Sequence, residues 1–423
     1  MTDTARTIEA IYRIESPKLI ARLARITRDV GQAEELAQDA LVTALERWPI
    51  EGVPDNPAAW LVQTAKHRAI DLIRRRQRFD KIGEQLGHEP RENETETAER
   101  VIDQLDDRLD DPIGDELLGL VFVACHPVLS NEARVALTLR LVGGLTVEEI
   151  AKAFLVPAPT IAQRIVRAKK QLADANVPFE VPRGDELAVR LASVLEVVYL
   201  IFNEGYAASA GAEWTRPELC DDALRLGRVL AELAPNEPEV HGLVALMEIQ
   251  ASRLAARIAP DGTPILLLDQ NRARWDWLLV RRGLAALDRA FALAPPGSRG
   301  PYVMQAAIAA CHGRAREASA TDWARIAALY GELAAAAPSP IVELNRAVAV
   351  GMAEGPAAAL AILDNPALQR ALADYHLLPS VRGDALAKLG RVAEARAELE
   401  RAAELATNAR ERDLLVERAR RLG

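Results

Sequence analysis

Apolar positions recur at helical spacing along nearly the whole chain, and β-branched runs are scarce. Residues 5–29 read as a first helix, with Ile8, Ile11, Tyr12, Leu19, Leu23 and Ile26 as its apolar positions. Pro17 is expected to break or bend it, and Gly31 to punctuate the chain before the next helix. Residues 33–49 form an amphipathic helix with Leu36, Ala40, Leu41, Ala44, Leu45 and Trp48 inward. Glu34, Glu35, Asp39 and Glu46 fall among its outward positions. A loop of turn residues, PIEGVPDNP over 49–57, ends that helix. A second helix over 58–78 has Trp60, Leu61, Thr64, Ala65, Ala69, Leu72 and Ile73 on its apolar stripe. Outside the stripe stand Lys66, Arg68, Arg74, Arg75, Arg76 and Arg78, with Asp71 the single acid. A cation bias of this size suits a phosphate partner, because bound cations release condensed counterions.

Residues 79–114 are acidic, poor in apolar positions and without sustained period, the pattern of a linker. Residues 117–144 carry supporting helices, one starting near Asn131-Glu132 and ending at Gly143-Gly144. The stretch LTVEEIAKAFLVPAPTIAQRIVRAKKQL, 145–172, then reads as two short helices and a tight turn. Thr146 followed by Glu149 has the spacing of a capping box. Val156-Pro157 stops the first helix, since the residue before proline is pushed out of the helical region. Pro157 and Pro159 are tolerated at the start of the next helix, where backbone N–H groups lack intrahelical acceptors. That helix has Ile161, Ile165 and Ala168 on one face, with Gln163, Arg164, Arg167, Lys169 and Lys170 on the rest. This is a helix-turn-helix whose second helix suits a major groove.

Composition narrows the class. A chain of 423 residues is too long for one core, and its alanine- and leucine-rich, aromatic-poor content favours an all-α fold. The net charge of −9 leaves room only for local basic patches. Cys125, Cys220 and Cys311 are odd in number and far apart, which favours free thiols in a reducing compartment. Cys125-His126 and Cys311-His312 lack the companion spacing of a zinc site, so neither a metal nor a cofactor is expected. Apolar runs at 117–129 and 194–202 are too short to cross a bilayer, and the N-terminus has no apolar signal region. No membrane contact is expected, and the chain reads as cytoplasmic. Neither a nucleophile–base pair nor a phosphate loop points to an enzyme.

From 186 onward the sequence is helical, with short Pro/Gly breaks. Near its end Gly383, Leu386, Gly390, Ala395, Leu399 and Ala402 fit tetratricopeptide packing positions. Gly355 precedes Gly390 by nearly the 34-residue period of that repeat. RVLAELAPNEP at 228–238 and ALDRAFALAPPG at 286–297 look like further helix endings of the same unit.

Two motifs in order, AEELAQDALVTALERWP with NPAAWLVQTAKHRAIDLIRRR, then GLTVEEIAKAFLVPAPTIAQRIVRAKKQL, resemble the sigma-70 superfamily. Specifically they resemble extracytoplasmic-function sigma factors, in a subgroup with a C-terminal tetratricopeptide-like helical extension. YLIFNEGY, LLLDQNRARW, TDWARIAALY and SPIVELNRAVAV look like that extension. Pro159 stands where glycine is common, Ala162 where lysine is common and His67 where asparagine is common.

The resemblance implies sigma domain 2 over 1–78, the linker, a sigma domain 4 helix-turn-helix over 115–175 and the extension over 186–423. It implies that Glu35, Asp39 and Glu46 bind core RNA polymerase, at the β′ coiled coil, with β a further contact. Trp60, Lys66, Arg68, Arg74, Arg75 and Arg76 would engage the −10 element. Thr160, Gln163, Arg164, Arg167, Lys169 and Lys170 would engage the −35 element, the lysines on phosphate. The expected function is promoter-specific transcription initiation, with the extension as regulator or partner-binding module. The alternative is a helix-turn-helix transcriptional regulator with a helical effector domain; a second, unlike basic helix and the acidic helix disfavour it.

Overall fold

The computed structural model describes residues 3–69, 113–154, 156–207, 214–260 and 262–422. They fall into two compact units, Met1–Val197 and Val198–Gly423. Apart from one isolated bridge, Ile258 to Pro264, there is no β pairing among the described residues.

The first unit opens with α1, Asp3–Thr27, and α2, Val30–Glu51, packed together. Both prolines expected to interrupt them lie inside helices: α1 runs through Pro17, and Pro49 sits in the last turn of α2. Burial of Leu19, Ile20 and Leu23 in the turns after Pro17 holds α1 together across one missing backbone donor. The start of α2 is also earlier than the apolar pattern indicates. The Asp29 carboxylate accepts from Gly31 N at 2.8 Å and Gln32 N at 3.1 Å, so Gly31 belongs to the first turn. The helix ends at Gly52, whose N–H donates to Trp48 O. A third helix, α3, covers 57–69 and buries Leu61, Ala65 and Ala69.

After the gap come α4, Ile113–Ala124, α5, Asn131–Leu141, α6, Val147–Phe154, and α7, Ala158–Asp174. Ser130 caps α5. The capping box of α6 is complete: Thr146 N donates to Glu149 Oε2 at 2.7 Å, and Glu149 N to Thr146 Oγ1 at 3.1 Å. Ile161, Ile165, Ala168 and Leu172 form the buried stripe of α7, packed on α5 and α6. Next is α8, Asp185–Tyr206. Its first half is tied to α4 and α5: Arg190 donates to Phe122 O at 2.9 Å and Ser193 Oγ to Cys125 O at 2.6 Å. Arg134 on α5 meets Ser193 and Glu196 in turn.

The second unit is a run of short helices, most of them packed on the next in the chain. They are α9, Pro217–Leu233, α10, Pro238–Ala251, α11, Trp277–Leu293, α12, Pro301–Arg314, α13, Trp323–Ala336, α14, Pro340–Ala353, and α15, Pro356–Leu363. Then come α16, Pro366–Ala371, α17, Leu377–Lys388, α18, Val392–Leu405, and α19, Ala409–Arg420. The central α10 packs on both α11 and α12. Gly242 permits its close approach to α12, because an added Cβ would stand 2.6 Å from Val303 N. The last pair has the spacing read from sequence: Leu386, Ala395, Leu399 and Ala402 are buried, and Gly383 sits against Leu399. Gly355 and Gly390 both take positive φ, +108° and +75°, at turns between helices, which explains glycine at that interval.

Candidate nucleic-acid interface

On α2 the buried residues are Ala33, Glu34, Leu36, Ala37, Ala40, Ala44 and Trp48. Glu35, Asp39 and Glu46 are exposed, as the amphipathic pattern requires. Three apolar residues of α2 join them outside: Val42 is 50% exposed, Leu45, expected inward, 42%, and Ile50 in the last turn 87%. Glu35, Asp39, Val42 and Glu46 are spaced four, three and four apart, one stripe of the helix. Leu45 turns outward because Ala44 and Trp48 already fill the inner face.

Glu34 is the clear departure from the sequence pattern. It is expected among the outward positions and is 4% exposed. Arg140 Nε of α5 donates to its Oε1 at 2.6 Å, and Lys169 Nζ of α7 ion-pairs with its Oε2. Burial alone would push the carboxyl up; Lys169 and Arg140 outweigh it and hold Glu34 below the ordinary carboxylate range. Arg140 also donates to Leu145 O at 3.0 Å, tying the same site to the entrance of the helix-turn-helix. A second link spans the same two segments: Arg25 of α1 meets Glu116 of α4 at 3.0 Å, and Arg22 meets it at 3.6 Å. The signal for Glu34 lay in the heptad Glu34, Ala37, Leu41, Ala44, Trp48, an apolar stripe with one acid in it.

The basic groups divide three ways. Thr160, Gln163, Arg167 and Lys170 are exposed on α7, and Arg164 is half-buried within electrostatic reach of Glu132. Lys169 is engaged by Glu34. On α3, Arg68 forms an ion pair with Asp39 at 2.8 Å and donates to Thr43 Oγ1 at 2.8 Å. A group expected on DNA and a group expected on polymerase thus face each other. Trp60 stands edge-on to Trp48, ring centroids 5.2 Å apart, and is half-buried; Lys66 is half-buried too. Arg74, Arg75 and Arg76, and the acidic segment as far as residue 112, lie outside the described residues.

Among the described residues no group of three His, Cys, Asp or Glu side chains is placed to hold an ion. Cys125 is buried against Thr138 Oγ1 at 3.2 Å, and burial pushes its thiol up to about 11. No described helix is long and apolar enough to cross a membrane.

An acid-faced helix with a basic helix beside it, followed by a capped helix-turn-helix, defines a two-module promoter-binding protein of the sigma-70 type. Known proteins agree with that class. Residues 11–79 match sigma-70 region 2, and residues 120–172 match sigma-70 region 4. Residues 190–291 match a family of unknown function, DUF6596. The chain is 43% identical over 412 residues to an uncharacterized protein of Rhizobium meliloti (strain 1021), covering 97% of this chain and 94% of that one. It is 30% identical over 161 residues to the ECF RNA polymerase sigma factor SigK of Mycobacterium ulcerans (strain Agy99), covering 36% of this chain and 79% of that one. The chain belongs to the extracytoplasmic-function (ECF) sigma factors. It binds core RNA polymerase and promoter DNA, and it carries a helical C-terminal part beyond the sigma regions. The sigma families are not enzyme families.

Proposed function

We propose that α2 is the polymerase-docking helix and that α3 and α7 divide the promoter between them. The observation that carries this reading is the outward stripe Glu35, Asp39, Val42 and Glu46 on a helix whose opposite face is buried. Three acids around an exposed valine suit a basic, partly apolar coiled coil, the β′ element, with β as a further contact. Trp60, Lys66 and Arg68, with Arg74, Arg75 and Arg76 further on, engage the −10 element and its unpaired strand. Stacking on an aromatic ring and phosphate contact are the two ways a single strand is held. On α7, Thr160, Gln163, Arg164 and Arg167 reach base edges of the −35 element, and Lys169 and Lys170 hold phosphate. Lys169 does so only once Glu34 releases it. The cell compartment for this work is the cytoplasm.

The test is charge reversal of Glu35, Asp39 and Glu46 together, followed by co-purification with core polymerase and a circular-dichroism check of helicity. Loss of core binding with helicity kept is the expected result; wild-type affinity overturns the assignment. For the −35 helix, Arg164→Ala and Arg167→Ala each weaken cognate binding by about 1–3 kcal/mol, and Lys170→Ala weakens all sequences alike. Equal losses on cognate and scrambled DNA make the arginines phosphate contacts.

The C-terminal helices are read as a regulatory or partner-binding module acting on the availability of the sigma regions. The cut that tests it belongs after Val197. Arg190 and Ser193 are hydrogen-bonded to the Phe122 and Cys125 carbonyls, and an earlier cut removes them. Unchanged transcription from the cognate promoter by the shortened, folded chain leaves the module as an independent docking unit.

A further inference from the structure

The second unit contains a cavity of about 260 Å³ between α8, α10, α12, α13 and α14. That is below the roughly 300–1,000 Å³ of drug-sized sites, so its occupant is small. Tyr199, Gln250, Arg253, Gln305 and His312 supply polar groups to its wall, and Leu246, Ile249 and Ile308 supply an apolar floor. No aspartate or glutamate lines it.

The charge around this cavity is one-sided. Arg253, Arg257 and Arg272 cluster here, and none has an ion pair among the described residues. Arg257 and Arg272 are 6% and 4% exposed. Their charge rests on aromatic faces: Arg257 lies 3.6 Å from the Tyr206 centroid and 4.5 Å from that of Trp214, and Arg272 lies 4.9 Å from Trp275. Arg272 further donates to His312 O, Ala315 O and Thr321 Oγ1 at 2.8–3.0 Å. Arg257 is bound to Tyr206 O and lies in the field of Glu411. Arg253 differs from both in lining the cavity itself. Its Nη2 donates to the Tyr206 hydroxyl, and its Nε, like that of Arg272, is buried with no acceptor. His312 Nδ1, also in the wall, is buried and unpartnered. Burial and the two arginines Arg253 and Arg272 push His312 down to about 3, so its ring is neutral and adds no charge.

Buried cations without a carboxylate are costly, and a pocket with cationic, hydrogen-bonding walls and an apolar floor recognises an anion with an apolar body. We propose that this cavity is a binding site for a small organic carboxylate. Its carboxylate is held by Arg253, with Gln250, Gln305 or Tyr199 completing the polar contacts, and its body lies on Ile249 and Ile308. Tyr199 Oη already stands 3.4 Å from Gln305 Oε1, a long contact that a ligand oxygen can replace. Binding there does not depend on how the sigma regions divide the promoter.

The test uses the full chain and three probes in titration calorimetry: benzoate, its uncharged counterpart benzamide, and inorganic phosphate, an anion without an apolar body. Saturable one-site binding of benzoate is expected, with benzamide and phosphate at least tenfold weaker. Arg253→Gln is expected to weaken benzoate at least tenfold. Because that change also removes contacts to Tyr206 and Trp275, a second variant, Ala309→Phe, fills the cavity from its wall and leaves every polar group in place. It is expected to abolish benzoate binding while its melting temperature stays at or above that of the wild type. Absence of saturable benzoate binding overturns the proposal. So does benzamide or phosphate binding as tightly as benzoate, or benzoate binding unchanged in Ala309→Phe.

Discussion

Buried charge is handled in opposite ways by the ion-paired sites of the sigma unit and by the arginine cluster around the cavity of the C-terminal unit. In the sigma unit it is met by opposite charge: Glu34 by Arg140 and Lys169, Arg134 by Glu196, Glu116 by Arg22 and Arg25. Around the cavity of the C-terminal unit it is met by rings and carbonyls: Arg272 by Trp275 and three oxygens, Arg257 by Tyr206 and Trp214. An ion pair between segments far apart in sequence can be broken and re-formed with another partner, such as a phosphate. An arginine inside a cage of carbonyls and indoles has nowhere else to go. The first arrangement fits a surface that must exchange its own acids for DNA. The second fits a scaffold that keeps its shape.

The largest effect is therefore expected inside the scaffold. Arg272→Ala removes three hydrogen bonds from a charged donor and leaves two buried carbonyls unmet. Hydrogen bonds to charged groups are worth about 1.5–3 kcal/mol each, so a loss of upwards of about 4 kcal/mol is expected. Thermal unfolding followed by the fluorescence of Trp275 and Trp277 measures it. A loss below about 1 kcal/mol would end the comparison, since Arg272 would then be held no more firmly than a surface cation.

Next in size is Glu34→Gln. The amide still accepts one hydrogen bond, so a loss of about 1–3 kcal/mol in the contact between α2 and the α5–α7 segment is expected. A dye pair on exposed positions of α2 and α7 reads the separation. The contact should also depend on pH. Glu34 sits below the ordinary carboxylate pKa, so its contribution is full above about 4.5 and is lost as pH falls through its lower folded value. Tyr12, the phenol beside Glu34, is pushed up by burial and stays neutral in that window. Glu34→Gln should remove this acid dependence. A variant that keeps the wild-type acid profile shows that another carboxylate carries it.

These two sites also mark where sequence reasoning reached and where it stopped. Periodicity, the Thr146–Glu149 box and the Ile161, Ile165, Ala168 stripe are local, so the helix-turn-helix was legible to the atom that caps it. The repeat at Gly355 and Gly390 was legible because a positive φ demands glycine. Pro17 and Pro49 were misread because propensity is a local term, and tertiary burial outweighed it. Glu34 was misread because its partners lie 106 and 135 residues away, and no window along the chain contains them. The cage around Arg272 is of the same kind, assembled from Trp275 in the segment between α10 and α11, the C-terminal end of α12 and Thr321 before α13.

The smallest effect is expected at Asp39 and Arg68, and its smallness carries information. The pair is close, 2.8 Å, yet its side chains are 57% and 40% exposed. An exposed pair is worth about 0.2–1 kcal/mol and is screened by salt. Arg68→Ala should leave thermal stability within that range. It should nonetheless weaken binding to −10 DNA and lower the salt slope by about one, as the loss of one phosphate contact does. Asp39→Ala should leave DNA binding in place and weaken core binding. A double-mutant cycle on the free protein separates the two meanings of the contact. Coupling under about 1 kcal/mol fits a pair that opens so that each member serves a different macromolecule. Coupling above about 2 kcal/mol, with neither single change touching DNA or polymerase, would make the pair a structural tie between α2 and α3 and remove both residues from the interface.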